Sequence, residues 1–284
     1  MNNKDVTILV NSCDIYEDAW EPQFKLFKAQ WPDCPYSFIL NTETKKYKGN
    51  VDNVKTICYG KNGTWTERFE YVLNQIESPY ILFTLEDYFL LNKVNVEVFE
   101  KAVAVMNNNS NVGMICLAQT NRENVATNEY EDENFYSRII DSKCMIWCRI
   151  CLYRKEYLLK LLKAHESIWE FEQYASYRAK KLNYIILQQN NKQPEVFTFK
   201  VKVEEGYGIT RRKWLPKNIE LFEKFNIQVN FDNLGIYEPV ASIDANSIKP
   251  KEKNLRESLY NVKRYLKNTK KSIKRQYRKF KSTH

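Results

Sequence analysis

Short apolar runs alternate, in the N-terminal third of the chain, with segments whose apolar residues recur every three or four positions. The short runs are typical of buried strands, and the helical spacing is typical of amphipathic helices that pack on them. The predicted strands are 6–10, 36–40, 54–59 and 80–85, and the predicted helices are 20–31 and a segment that begins at Trp65. This order indicates an α/β sheet with parallel pairs and helices on its faces.

The rest of the chain continues the alternation less regularly. The further predicted strands are 112–117, 145–153, 184–187 and 196–203, and the further predicted helices are 96–106, 155–163 and 167–177. Two polar segments without a period, 121–136 and 204–214, are predicted to be loops, and the first is expected to lie over the functional site.

Polar side chains follow the predicted strands at their carboxyl ends, and they are Ser12, Asp14, Asn41, Glu43, Glu86 and Asp87. Ligands of open α/β sheets bind at this edge. Each residue alone is equally typical of a strand-end loop or a helix cap. Polar residues at every end, with two adjacent acids behind a very apolar strand, favour a binding site.

Residues 76–87, IESPYILFTLED, resemble the segment of GT-A glycosyltransferases in which acidic residues end the strand that crosses the nucleotide site. The segments VNSCDIYEDAW, WEFE and G-x-x-R-R-K-W stand in an order similar to that of bacterial capsule and O-antigen glycosyltransferases, over residues 5 to 235. The resemblance implies a GT-A-like, Rossmann-like fold with a mixed, mostly parallel sheet. It also implies an inverting transfer from a nucleotide-sugar donor to a surface-glycan or lipid-linked acceptor.

The same motifs imply a donor site. Its expected residues are Ser12, Asp14, Tyr16, Glu43, Arg68, Glu86, Arg211, Arg212 and Trp214. A departing nucleoside diphosphate carries developing negative charge, which Mg²⁺ or Mn²⁺ on carboxylates, or arginine forks, can stabilise. Asp87 is the expected metal ligand. Leu85 occupies the first acidic position of the D-x-D motif, so the sequence leaves the metal open, and a solvated basic loop accounts for the arginines equally well.

An inverting transfer also needs a general base for the acceptor hydroxyl. The resemblance places this base in WEFE, with Glu172 first and Glu170 second, because Arg178 follows Glu172 by six residues. Acids in the first turn of a helix are also favoured by the helix dipole, which explains either glutamate nearly as well.

Net charge is +9, but residues 249–284 contain fourteen Lys and Arg against two Glu, so the preceding body is slightly acidic. An acidic body argues against a nucleic-acid-binding domain. Apolar residues recur every three or four positions in the tail, which predicts a cationic amphipathic helix at a membrane surface. Packing on the body or on a partner, and nucleic-acid binding by the tail, are the alternatives. We therefore expect two units, 1–248 and 249–284.

Other classes fit the sequence less well. No apolar window approaches the ~18 residues of a membrane span, and the first apolar run is short for a signal peptide. The seven cysteines lie mostly in apolar runs without zinc-site spacing, so we expect reduced thiols in the cytoplasm, at the inner face of the plasma membrane. A nucleotidyltransferase would usually carry a glycine-rich loop after the first strand, and no glycine follows Val10 there.

Deleting residues 249–284 is expected to abolish binding to vesicles of anionic lipid while hydrolysis of the donor is retained. Each basic residue near an anionic surface contributes about 1 kcal/mol, so the tail carries most of the attraction. Co-sedimentation with anionic and neutral vesicles measures it. Undiminished sedimentation of the truncated chain with anionic vesicles would contradict the assignment.

Overall fold

The computed structural model describes residues 5–118, 126–138, 146–199 and 207–238. The expected boundary between residues 248 and 249 and the tail helix lie outside these ranges. Within them, no helix is both long and apolar enough to cross a membrane.

The described ranges contain eleven strands, six α-helices and one 3₁₀ turn, Asp14–Tyr16. The strands are β1 Val6–Asn11, β2 Ser37–Thr42, β3 Val54–Cys58, β4 Tyr80–Leu85, β5 Val112–Cys116, β6 Ala126–Glu131, β7 Phe135–Arg138, β8 Cys151–Arg154, β9 Ile185–Gln189, β10 Ile209–Thr210 and β11 Lys213–Trp214. The helices are α1 Glu17–Gln30, α2 Trp65–Leu73, α3 Val96–Asn108, α4 Lys155–Leu161, α5 Ile168–Ala179 and α6 Lys217–Lys224.

Nine strands form one sheet in the order β3-β2-β1-β4-β8-β5-β9-β7-β6. Only β7 and β8 run against the other seven strands, so the mixed, mostly parallel α/β sheet predicted from the sequence is confirmed. In register, Asn11 at the end of β1 lies beside Asn41 of β2 and Leu85 of β4. The polar residues that follow these strands therefore share one edge.

The amphipathic helices form where their caps and apolar faces predict. Thr64 and Glu67 form a reciprocal capping box at the start of α2, which satisfies backbone N–H groups of its first turn. Phe69, Val72 and Leu73 on its inner face are almost completely buried. Burial of each such side chain stabilises the fold by about 1.5–3 kcal/mol, which is why α2 packs on the sheet.

Three predictions of strand or loop in the second half of the chain were wrong in part. The segment 121–136, predicted to be a loop, contains β6 and the start of β7, because polar residues at the edge of a sheet hide the strand pattern. The strand predicted at 145–153 begins only at Cys151. Residues 207–214 form the β10–β11 hairpin where a loop was predicted.

The predicted strand 196–203 is irregular over its described part, 196–199. Its backbone carbonyls accept hydrogen bonds from Leu91 and Asn95, and Phe197 packs against Trp31 and Phe99. The apolar run is thus buried against the aromatic core without joining the sheet.

The start of α5 is held by an ion pair between α5 and the residue Glu166 before it, and by a hydroxyl of α2 that binds the backbone of Glu166. Arg178 donates two hydrogen bonds to the Glu166 carboxylate, at 2.8 and 2.6 Å. The Thr66 hydroxyl of α2 donates to the Glu166 carbonyl and accepts the Glu166 N–H, both at 3.1 Å. These bonds fix the first turn of α5 beside the carboxyl edge of the sheet.

Replacing Arg178 by Met is expected to lower the free energy of unfolding by about 3 kcal/mol, because it leaves the Glu166 carboxylate buried without its partner. Chemical denaturation measures the loss, and Lys181→Met, at an exposed position just past the same helix, is the matched control. A loss in Arg178→Met no larger than in the control would show that the ion pair does not hold α5.

Candidate functional site

A cleft of about 540 Å³ opens at the carboxyl edge of the sheet. Its walls come from the residues after β1, the start of α2, the end of β4, the first turn of α5 and the β10–β11 hairpin. Five separate stretches of sequence therefore converge at the edge where α/β sheets bind ligands.

The acidic wall consists of Glu86 and Asp87, the two residues after β4. Glu86 is almost fully buried and Asp87 is partly exposed. Burial raises the pKa of both carboxyls, and the neighbouring charge of Asp87 raises the pKa of Glu86 further. Two carboxylates held this close in a buried wall are stabilised by any cation that enters the cleft.

Asp87 also ties the basic wall to the acidic one. Its Oδ2 accepts the Ile209 N–H at 3.2 Å, and its carbonyl accepts the Gly208 N–H at 2.8 Å. A Cβ on Gly208 would lie 2.7 Å from the Asp87 carbonyl oxygen and 2.1 Å from the ring of Phe89. Only glycine permits so close an approach, so this position is fixed by contact with the acidic strand end.

The turn of the β10–β11 hairpin carries Arg211 and Arg212 between the paired residues Thr210 and Lys213. Both arginines have positive φ, 49° and 62°, as a type I′ turn requires. Asn-Gly is the favoured sequence for such a turn, and a non-glycine residue in this conformation costs about 1–3 kcal/mol. Both side chains are exposed and line the cleft. Because two adjacent arginines occupy strained positions where Asn-Gly would fit with less strain, we infer that the turn serves to hold their guanidinium groups at the cleft.

Trp214 lies elsewhere than expected. Its ring is fully buried and packs on Phe89, Phe222 and Phe231, at centroid distances of 5.6–5.8 Å, and it does not line the cleft. The sequence predicted that this indole contacts the donor, but it anchors the hairpin in the core. A large apolar ring gains more free energy from burial than from an exposed position at the rim.

The opposite wall holds Arg68, whose exposed fraction is only 7%. Its guanidinium pairs with the Glu43 carboxylate, which in turn accepts the Asp14 N–H. Glu43 thus stands behind Arg68 and does not itself line the cleft. The Nε of Arg68 and the Nδ2 of Asn11 have no hydrogen-bond partner within the described part of the chain. Buried donors without partners at a cleft are typical of positions that a ligand fills.

Asp14 and Ser12 are engaged within the protein. The Asp14 carboxylate accepts the Thr44 and Lys45 N–H groups at 3.0 and 3.1 Å, and these bonds shape the loop after β2. Burial of Asp14 opposes its charged form, but the hydrogen bonds outweigh burial and lower its pKa. The Ser12 hydroxyl accepts the Trp20 indole N–H at 2.8 Å. Ser12 still lines the cleft, whereas Asp14 supports it from outside.

Aromatic side chains complete the cleft. Tyr16 and Trp65 line it, and burial, with the charge of Glu86, raises the pKa of Tyr16. Trp169 lies on the rim with 73% of its surface exposed. Trp65 and Asn11 were not among the expected contacts. Asn11 ends an otherwise apolar strand run and Trp65 opens a capped helix, and both signals are visible in the sequence.

The two WEFE glutamates differ in their surroundings. The Glu170 carboxylate forms a capping box with Ser167, accepting its N–H at 2.9 Å and its hydroxyl at 2.8 Å. Glu172 lies one turn after Ile168, which lines the cleft, and its Oε1 accepts the Cys148 N–H at 2.8 Å. Burial raises the pKa of Glu172, while the Cys148 N–H and the charge of Arg149 oppose the rise.

Arg178, whose spacing from Glu172 suggested a functional pair, binds Glu166 instead. At six residues apart on one helix the two side chains lie on different faces, whereas Glu166 precedes the helix and folds back toward Arg178. The spacing therefore gives no support to Glu172. Neither Glu170 nor Glu172 lines the cleft, and Glu172 lies one turn along α5 from the lining residue Ile168.

No protein-family model matches the chain, and no curated protein matches it. Solved structures similar to it include GT-A-type glycosyltransferases and cytidylyltransferases. S. aureus TarS 1–349 in complex with UDP is 14% identical, with a TM-score of 0.45 over 67% of this chain and 59% of that one. A cytidylyltransferase from Leptospira borgpetersenii is 11% identical, with a TM-score of 0.42 over 84% and 99%.

The LgtC variant Q189E is 9% identical, with a TM-score of 0.37 over 89% of this chain and 94% of that one. The chain spans 37% of the length of a longer TarS structure, which has a TM-score of 0.46. Likenesses at this level assign no family, so the case for a function rests on the cleft.

Replacing Arg211 and Arg212 together by Asn and Gly is expected to raise the free energy of unfolding by about 2 kcal/mol, because Asn-Gly adopts positive φ with less strain. Chemical denaturation measures the gain. Replacing both by Lys is the matched control, since it keeps the strain and the charge and is expected to leave stability unchanged. A lower free energy of unfolding in the Asn-Gly variant would show that Arg211 and Arg212 are not strained in this turn.

Proposed function

We propose that the chain is a glycosyltransferase that moves a sugar from a nucleoside diphosphate sugar to an acceptor hydroxyl. The observation that supports it most is the Asp87 connection, by which the carboxylates of Glu86 and Asp87 and the strained arginine turn line one cleft. A leaving diphosphate needs a cationic clamp beside the reacting carbon, and this pair of walls fits that need.

Arg211 and Arg212 suit the diphosphate, because guanidinium forks match phosphate oxygens. The unpartnered donors of Arg68 and Asn11, beside the Trp65 ring, suit the nucleoside. A planar aromatic surface next to hydrogen-bond donors is a frequent arrangement for a base or a ribose. The cleft then orders the donor from the nucleoside at α2 to the diphosphate at the hairpin.

The acidic wall fits a divalent cation. Mg²⁺ and Mn²⁺ are commonly held by one or two carboxylates and share the phosphate oxygens of the substrate. Asp87, with Glu86, is the donor set that would hold such an ion, and burial without a strong counter-charge leaves both carboxyls with raised pKa. The ion would stabilise the charge that develops on the leaving diphosphate.

Glu172 is the proposed general base. Glu170 is occupied as a helix cap, whereas Glu172 lies one turn beyond the cleft-lining start of α5 and has a raised pKa that suits proton acceptance. The acceptor hydroxyl would give its proton to Glu172 while its oxygen bonds to the anomeric carbon. The bond from that carbon to the diphosphate oxygen breaks, and the nucleoside diphosphate departs with the electron pair.

The acceptor remains a surface glycan or a lipid-linked glycan in this proposal, with the basic tail holding the protein at an anionic membrane. Trp169 offers an exposed aromatic face at the rim of the cleft. Aromatic faces of this kind stack on sugar rings through their apolar C–H surface.

Nucleoside diphosphate sugars, screened by thermal shift, are expected to include one that raises the melting temperature, because a ligand of the native state stabilises it by mass action. With that donor and an acceptor, transfer releases the nucleoside diphosphate. Glu172→Gln is expected to keep the donor-induced shift and to lower kcat by about 10²–10⁴-fold, as loss of a general base does. Asp87→Asn is expected to reduce both the donor-induced rise in melting temperature and kcat.

Glu170→Gln is the matched control from the same helix turn, and it is expected to retain transfer. Release of the sugar 1-phosphate in place of the nucleoside diphosphate would identify nucleotidyl transfer and overturn the proposal. Full turnover in Glu172→Gln would remove Glu172 from the mechanism.

A further inference from the structure

A second cationic site lies at the same edge of the sheet, outside the cleft. Strand β8 runs antiparallel between β4 and β5, so its first residue, Cys151, pairs with Phe83 near the end of β4 and with Cys116 at the end of β5. Residues 146–150, directly before β8, are therefore at the carboxyl edge, close to Glu86 and Asp87. The sequence marks this place by a single arginine, Arg149, within an apolar run.

Two guanidinium groups face one indole there. The Cζ of Arg149 lies 4.3 Å from the centroid of the Trp147 ring, and the Cζ of Arg138 lies 5.0 Å from it. Arg138 is 2% exposed and donates to the Gln188 side-chain oxygen at 3.0 Å. Burial lowers the pKa of Arg138, and the charge of Arg149 lowers it further. The fold thus holds two like charges together on an aromatic ring.

The described surroundings of Arg149 do not neutralise its charge. Arg149 makes no hydrogen bond or ion pair with any residue in the described ranges. Glu172 is the carboxylate whose pKa Arg149 lowers, but Oε1 of Glu172 is engaged by the Cys148 N–H. The Cys116 and Cys151 thiols are further groups whose pKa both arginines lower. A partly buried guanidinium without a partner is costly unless an anion reaches it.

The position connects this cluster to the proposed chemistry. Tyr88, next to Asp87, stacks on Tyr207 at a centroid distance of 4.0 Å, and Arg149 acts on the pKa of both phenols. The Tyr88 hydroxyl also donates to the Cys148 carbonyl at 3.3 Å, so the residue before Arg149 contacts both Tyr88 and Glu172. The donor residues Arg68, Arg211 and Arg212 belong to the cleft and not to this cluster.

We propose, on the basis of the proposed function, that Arg149, held against the Trp147 ring, binds an oxyanion of the acceptor, a phosphate or a carboxylate, beside the general base. The acceptor would then be a charged glycan, held by its anionic group so that a neighbouring hydroxyl meets Glu172. Guanidinium forks bind both kinds of oxyanion in the same geometry.

Residue-resolved modification of arginines by phenylglyoxal, mapped by mass spectrometry on the full chain, tests the site without any assay of activity. Inorganic phosphate or glucuronate at ten times its dissociation constant is expected to slow modification of Arg149 about tenfold, in proportion to the free fraction. Arg154, whose guanidinium donates to three backbone carbonyls, is the matched control and should be unaffected. The two anions distinguish a phosphate from a carboxylate ligand, and protection of Arg149 by neither overturns the proposal.

Kinetics of Arg149→Gln supply the second measurement. The KM of an anionic acceptor is expected to rise about 10- to 100-fold, as loss of a charged hydrogen bond implies, while the KM of the donor and of a neutral acceptor stay unchanged. Arg149→Lys is expected to restore part of the affinity. Unchanged KM for the anionic acceptor, with transfer intact, refutes the acceptor site alone. Absence of transfer in the native chain, with Arg149 still protected by anions, refutes the glycosyltransferase and leaves the anion site.

Discussion

The carboxyl group of Asp87 and its own backbone carbonyl, bonded to two successive N–H groups at residues 208 and 209, are the contact on which the site depends. The β10–β11 hairpin is only two residues long on each side, and this contact, together with the burial of Trp214, fixes its place against the large sheet. One residue thereby belongs to the acidic wall and also positions the basic wall. The spacing between opposite charges across the cleft is set by this single connection.

Other acidic residues around this edge of the sheet also position neighbouring groups. Glu43 supports Arg68 from behind, Glu170 caps α5, and Glu166 ties α5 through Arg178. These acids are used to place other groups, and each has at least two protein partners. Arg149, Arg68 Nε and Asn11 Nδ2 are different, because the fold buries them wholly or in part and leaves polar atoms without partners within the described ranges. The contrast separates the groups that build the site from those that await a ligand.

The sequence predicted the N-terminal half of the fold closely, because fully buried parallel strands such as β1 and β4 read as uninterrupted apolar runs between capped helices. It also placed Glu86 and Asp87 at the carboxyl edge, since the carboxyl ends of parallel strands converge, and the resemblance added Arg211 and Arg212 to the same site. The edge strand β6 and its neighbour β7 were not predicted, because the polar residues of this part of the sheet hide the alternation. Trp214 and Arg178 were misjudged for another reason: which way a side chain packs depends on contacts distant in sequence, and spacing alone does not contain them.

A crystal structure of the chain with the nucleoside diphosphate of its donor tests the central claim most directly. The account predicts electron density for the diphosphate between the β4 end and the guanidinium groups of Arg211 and Arg212, with the nucleoside toward Trp65. Nucleotide bound at another edge of the sheet, or a diphosphate out of reach of both Asp87 and the arginine turn, would contradict it.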